Sequence, residues 1–236
     1  MASKAIRAKA MLRGIVKVVP SGDTLVIMDL GNRASTEIPP ERTIVLSSLI
    51  ALKLARRGGK QTTDEPWASQ SREFLRNICI RKEVKFQVDY TLPNRGLEFG
   101  SVFLGDKNVA FYVVAHGWAK LKTERDLDKD KGEFSPYLKE LKKWKDKAKE
   151  NGAGCWTKAT AGAVRNLPPS LVGDPNKKGD ITHLVEENKG RVRELQAIVE
   201  YVGDGSTLHV YLLLDYQHVR VFVAGVSGIV NEKLDC

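Results

Sequence analysis

Cysteine is scarce in this 236-residue chain: Cys79, Cys155 and Cys236 are odd in number and widely separated. That pattern suits neither a disulfide framework nor a zinc-ligand spacing, so reduced thiols are expected. Histidine is nearly as rare, and His116, His183, His209 and His218 have no companion at metal-ligand spacing. Surface or hydrogen-bonded histidines are the expectation. No run approaches the roughly 20 apolar residues of a membrane helix. The opening MASKAIRAKAMLRG has neither a long apolar core nor a small-residue cleavage site. These absences argue against a membrane partner and lead us to expect a soluble, intracellular protein.

Positive charge is abundant. Lys and Arg exceed Asp and Glu by 9, and the pI is near 9.4. Clustered cations favour polyanions, because binding phosphates releases counterions. Composition alone does not separate RNA, DNA and anionic lipid. A hydrophobic share of 42% is ordinary for a folded protein with one or two domains.

Self-comparison organises the chain. LRGIVKVVPSGDTLVIM (12–28) aligns without a gap on LQAIVEYVGDGSTLHVY (195–211). Leu12, Ile15, Val16, Val19, Gly22, Thr24 and Leu25 return as Leu195, Ile198, Val199, Val202, Gly205, Thr207 and Leu208. Each copy reads as strand, glycine turn, strand. A third strand follows in both, at TIVLSSLIAL (43–52) and VRVFVAGVSG (219–228), so the repeated unit is a three-stranded meander.

Only the first copy continues into further elements. PWASQSREFLRNICI (66–80) predicts a helix with Pro66 in its first turn and Trp67, Phe74, Leu75 and Ile78 on one face. EVKFQVDY (83–90) and GSVFLG (100–105) alternate as strands, and NVAFYVVAHGWA (108–119) reads as a buried helix stopped by Gly117. SPYLKELKKWKDKAKENG (135–152) predicts an amphipathic helix capped by Ser135, with Tyr137, Leu138, Leu141, Trp144 and Ala148 inward. The resulting order is β-β-β-α-β-β-α-α. A domain over 1–157, a Pro/Gly-rich linker over 158–190 and a partial second domain over 191–236 follow. TERDLDKDKGE (123–133) mixes both charges and reads as a solvated loop.

Five strands with a helix after the third is the OB-fold plan, an α+β architecture that is mainly β-barrel and is often used for oligonucleotides. Several segments add detail: VPSGDTLVI, SSLIALKLARRGG, DEPWASQSREFLR, FGSVFLGDKNVA, HGWAKL, SPYLKELKKWKDKAKENGAGCW, RNLPPS and DGSTLHVYLL. Together the chain resembles the Tudor-SN (p100 co-activator) family of staphylococcal-nuclease-like repeat proteins, in its plant form. The resemblance implies a five-stranded staphylococcal-nuclease-type barrel with three helices, followed by an incomplete second copy. It further implies single- or double-stranded RNA as the partner rather than a small-molecule substrate, and a cytoplasmic location with a nuclear share. Association with the RNA-induced silencing complex, stress granules and other ribonucleoproteins, with roles in mRNA stability and RNA cleavage, is implied as well. The family's Tudor module has no counterpart in these residues.

Nuclease chemistry in this family needs a Ca²⁺ ion, a Glu that positions water and two Arg for the phosphoryl charge. At the hairpin, active members read Asp-Gly-Asp, against Ser21-Gly22-Asp23 and Asp204-Gly205-Ser206 here. On the third strand, Val45, Ile50 and Lys53 stand where Arg, Asp and Glu are expected; copy two has Phe222, Ser227 and Val230. Leu97 occupies the second Arg position, with Arg95 two residues away. The resemblance therefore leaves no catalytic set, and Asp23 as a remnant carboxylate and weak metal candidate for Ca²⁺; no other cofactor is expected. The alternative for Asp23 is a turn residue whose carboxylate bonds nearby backbone N–H groups.

For nucleic-acid binding the candidates are Lys53, Arg56, Arg57 and Lys60 in KLARRGGK, together with Arg95. The competing reading is a solvated basic loop. The lysines of the last helix, Lys139 to Lys149, are diluted by Glu140, Asp146 and Glu150 and read as a solvent face. Phe74, Phe86, Tyr112, Trp118 and Trp144 read as core aromatics.

Overall fold

The computed structural model of the protein describes residues 10–31, 39–55, 63–122, 136–159, 163–165, 194–213 and 217–226. The chain divides into two compact units, Met1–Ala55 with Asp64–Arg165, and Arg56–Thr63 with Asn166–Cys236. The described residues include no helix long and apolar enough to cross a membrane.

The first unit is a closed barrel. Strands β1 (Leu12–Ser21), β2 (Thr24–Asp29) and β3 (Glu41–Leu46) form the antiparallel meander. After a two-residue strand β4 (Leu49–Ile50) and helix α1 (Ala68–Cys79), β5 (Glu83–Leu92) returns to pair with β1, Leu12 facing Phe86. Strand β6 (Leu97–Leu104) runs antiparallel to β5 and parallel to β3, with Ile44 opposite Glu98. That last pairing closes the sheet, so neither β3 nor β6 is left as an edge. The barrel has the five long strands and three helices expected of the staphylococcal-nuclease-type OB-fold.

The core follows from alternation. Val16, Leu25, Ile27, Ile44, Val84, Phe86 and Val102 point inward and are fully buried, where α1 covers them with Leu75 and Cys79. Removing a ring so placed costs about 3–5 kcal/mol, the range expected for Phe86→Ala. Gly22 serves packing: any Cβ there would collide with Ser71 of α1, whose Oγ donates to the Trp118 carbonyl at 2.6 Å. Beyond the barrel lie β7 (Lys107–Asn108), α2 (Val109–Ala115), β8 (Lys120–Leu121) and α3 (Pro136–Glu150). Asn108 caps α2 by accepting the Ala110 N–H, and Gly117 ends it at φ 73°.

Three expectations are corrected. The third strand breaks after Leu46: Ser47 and Ser48 turn, and β4 leaves the barrel to pair with β8. Helix α1 begins at Ala68, because Trp67 adopts a left-handed φ of 68° and donates its N–H to the Ala163 carbonyl. Trp144 is not core. Leu141 and Ala148 take the buried stripe of α3, leaving Trp144 at 37% exposure beneath the Lys147 ammonium. Ser135 and the segment 123–133 lie outside the described residues.

The second unit contains strands β9 (Ala197–Val202), β10 (Thr207–Leu212) and β11 (His218–Phe222) in the sheet order β11-β10-β9. It repeats the first meander in register. Val16 opposite Ile27 becomes Val199 opposite Val210, and Thr24 opposite Val45 becomes Thr207 opposite Phe222. Even the β-bulge recurs: the register shifts between Val16 and Val18 in one copy and between Val199 and Tyr201 in the other. Matching bulges show that the internal repeat is conformational as well as compositional.

Candidate nucleic-acid interface

Asp23 occupies the second position of the β1–β2 turn. Its Oδ1 accepts hydrogen bonds from Ser21 Oγ at 2.7 Å and Thr24 Oγ1 at 2.9 Å, and its Oδ2 accepts the Ala51 N–H at 2.9 Å. Its backbone carbonyl takes the Leu46 N–H. The residue thus ties the hairpin to both ends of the β3–β4 excursion. In the second unit, Asp204 Oδ1 accepts the Ser206 N–H at 2.7 Å and its hydroxyl at 3.0 Å. These bonds hold the Asp204 carboxyl below its ordinary range.

Along the third-strand segment, Val45 is buried, Ile50 is exposed in β4, and Lys53 is exposed just beyond it. Leu97 opens β6 and Phe222 ends β11. Ser227 and Val230 lie outside the described residues.

Lys53 stands at the neck of the basic loop. Its N–H donates to Glu65 Oε2 at 2.9 Å and its carbonyl accepts the Glu65 N–H at 2.7 Å. One step further, the Ala55 N–H donates to Asp64 Oδ1 at 2.7 Å. Burial pushes the Glu65 carboxyl up, but hydrogen bonds from Lys120 and from the Lys53 N–H outweigh it and hold the group below its ordinary value. The neck is therefore closed by two carboxylates that each capture a backbone N–H across it. Arg56, Arg57 and Lys60 lie outside the described residues. Arg95 ends a 3₁₀ turn, Pro93–Arg95, between β5 and β6, and its side chain is likewise outside them.

Sequence reasoning missed Asp64 and Arg165. Arg165 Nε donates to Asp64 Oδ2 at 3.1 Å, and Ala163 is buried beside it. The DEPW context gives Asp64 no periodic signal, and Arg165 falls where Gly and Pro suggest a linker. Also missed is an outward-facing aromatic pair, Tyr90 and Phe99, whose placement depends on a bulge that alternation does not reveal.

Residues 43–158 match the family described as staphylococcal nuclease homologue. The chain is 49% identical over 233 residues to Ribonuclease TUDOR 2 of Arabidopsis thaliana and 51% identical over 222 residues to Ribonuclease TUDOR 1 of the same plant. Those alignments take in 97% and 92% of this chain but 23% and 21% of the relatives. A Drosophila melanogaster protein, Staphylococcal nuclease domain-containing protein 1, is 38% identical over 91% of the chain and 22% of its own length. The chain thus spans less than a quarter of the curated relatives it matches. With the closed barrel and this similarity together, residues 43–158 belong to the staphylococcal nuclease homologue family, and the chain is similar over most of its length to the plant Tudor-SN proteins.

Proposed function

We propose that this chain holds RNA without cutting it, the candidate contacts being Lys53 and Arg95 of the first unit and Arg56, Arg57 and Lys60 of the second. The observation that carries this reading is the engagement of Asp23. Both of its carboxylate oxygens already accept protein hydrogen bonds that fix the hairpin to Ala51, Ser21 and Thr24. A Ca²⁺ ion wants six to eight oxygen ligands, several of them charged. The positions that would supply them here present Ile50 and Lys53, and a lysine repels a cation. These residues do not fit the ion.

The net charge of +9 supports a polyanionic partner, and Lys53, Arg56, Arg57 and Lys60 place four cations within eight residues of sequence. Fluorescence anisotropy with labelled single- and double-stranded RNA tests the reading. Affinity should fall steeply as salt rises, and Arg56→Ala with Arg57→Ala should flatten the log–log salt slope by roughly 2, about 1 per phosphate contact. Salt-independent binding, or an unchanged slope in the double variant, overturns it.

The name ribonuclease carried by the Arabidopsis relatives favours a second reading, RNA cleavage, for which the family resemblance implies Ca²⁺. That reading requires RNA cleavage in Ca²⁺ that Asp23→Ala abolishes. A third reading, a protein-interaction adaptor, is favoured by the second unit, where Tyr201 is 60% and Phe222 67% exposed. It requires self-association or partner capture, and light scattering that returns a clean monomer counts against the former. Roles in RNA silencing and mRNA stability are proposed for the whole protein, of which this chain matches one part.

A further inference from the structure

Strict alternation along β5 would send Tyr90 inward, behind Phe86 and Val88. A bulge prevents it: Val88 pairs with Gly100 and Tyr90 with Phe99, so Asp89 is an extra residue in β5. After the bulge, Tyr90 shares the outer face of the barrel with Phe99, its direct cross-strand partner. Two features hold the bulge in place. Ser47 Oγ donates to Asp89 Oδ2 at 2.6 Å. Opposite, Gly100 lets the β5 backbone close in, since any Cβ there would collide with the Gln87 carbonyl oxygen.

The product is a flat aromatic surface. The Tyr90 and Phe99 rings stack with centroids 4.6 Å apart and planes within 7°. Tyr90 remains 46% exposed. Lys122 fixes a positive charge beside the stack: its Nζ lies over the Phe99 ring 4.5 Å from the centroid, donates to the Ser47 carbonyl at 2.6 Å and sits 3.4 Å from the Tyr90 hydroxyl. A solvent-exposed tyrosine needs none of these supports. A bulge, a glycine, a side-chain lock and a backing ring together serve to hold one ring face rigidly toward solvent.

We infer that Tyr90, backed by Phe99 and flanked by the Lys122 charge, is a stacking platform for an unpaired nucleobase of single-stranded RNA. An exposed ring face takes any base by stacking, and an adjacent ammonium suits the phosphate beside it. This deepens the RNA-binding reading and rests on it. It also places a contact on β5–β6, separate from the basic loop.

The test compares the full chain with Tyr90→Ala, Tyr90→Leu and Tyr90→Phe, using three labelled probes of equal length: oligouridine, its abasic counterpart and a duplex. The inference predicts that the wild-type chain prefers the base-bearing strand over the abasic strand by roughly tenfold. Tyr90→Ala and Tyr90→Leu should lose that preference, Tyr90→Phe should keep it, and duplex affinity should not change. Equal affinity for base-bearing and abasic strands in the wild type, or a preference that survives both Ala and Leu, overturns the platform while leaving phosphate binding intact. Absence of RNA binding by the wild type overturns the RNA-binding reading itself, and the platform with it. Saturable binding of a proline-rich peptide that Tyr90→Ala abolishes, without any base preference, assigns the surface to a peptide and overturns the inference.

Discussion

Arg165 Nε donates to Asp64 Oδ2 at 3.1 Å with both side chains withdrawn from solvent, at 6% and 0% exposure. The other Asp64 oxygen holds the Ala55 N–H, so one buried carboxylate joins the residue before the basic loop to a residue a hundred positions downstream. Removing a single partner strands a buried charge, which costs about 3–5 kcal/mol. Arg165→Met should lower unfolding stability by that order in urea titrations. Asp64→Leu with Arg165→Met should recover much of it, and the Ala55 amide should exchange faster in either variant. A loss below about 1 kcal/mol in Arg165→Met would show that the pair is solvated, as an exposed pair is.

Asp23 supplies a second prediction. Replacing it with Ala frees the Ala51 N–H and two hydroxyls, at roughly 1.5–3 kcal/mol for hydrogen bonds to a charged acceptor. The loss should be the same with Ca²⁺ present or chelated. If Ca²⁺ stabilises the wild-type chain and not Asp23→Ala, the carboxylate is a metal ligand and its role as a turn staple is secondary.

Gly22 separates space from conformation. Its φ is not positive, so a methyl group meets no backbone strain, only Ser71, its Oγ most closely and its Cβ next. Gly22→Ala should cost about 1–3 kcal/mol by overpacking. Adding Ser71→Ala should return part of that cost in a double-mutant cycle, since the two residues touch. Strictly additive losses would mean that the hairpin yields elsewhere.

Alkaline pH should weaken the fold. Burial pushes the Cys79 thiol up to about 12 and the Tyr137 hydroxyl up to about 12, from ordinary values of 9.0 and 10.0. Both groups keep their protons longer folded than unfolded. Their contribution is therefore complete below about pH 9 and is lost as pH rises toward 12. Urea midpoints should fall steadily over that window, and Tyr137→Phe should lessen the fall above pH 10. A flat profile from pH 9 to 11 would contradict the burial of both groups.

The repeat was the most legible feature, because hairpin chemistry and alternation set both meanders, although the bulge they share appears only in the strand register. Val16, Leu25 and Ile27 follow period two, and a core face is what that period encodes. Less legible was closure. The parallel pairing of β3 with β6 joins residues more than fifty positions apart, and neither strand's pattern names its neighbour. Trp144 was misread because a helical stripe has edges, and Leu141 with Ala148 had already filled the middle. The Tyr90 platform was hidden by one extra residue: with Asp89 bulged, every side chain beyond it changes face. In the candidate site, Asp23 and Lys53 could be picked out from the family pattern. Asp64 and Arg165 could not, since neither alternation nor spacing marks a long-range buried pair.

The central claim is that this chain binds RNA while its hairpin carboxylate serves the fold. The most direct measurement follows one labelled RNA with the wild-type chain and with Arg56→Ala/Arg57→Ala across a salt series, then incubates the same samples with Ca²⁺ and resolves the RNA on a denaturing gel. Binding should be steeply salt-dependent, with a slope reduced by roughly 2 in the double variant, and the RNA should stay full length. Ca²⁺-dependent fragments that appear with the wild type and vanish in Asp23→Ala would contradict that claim.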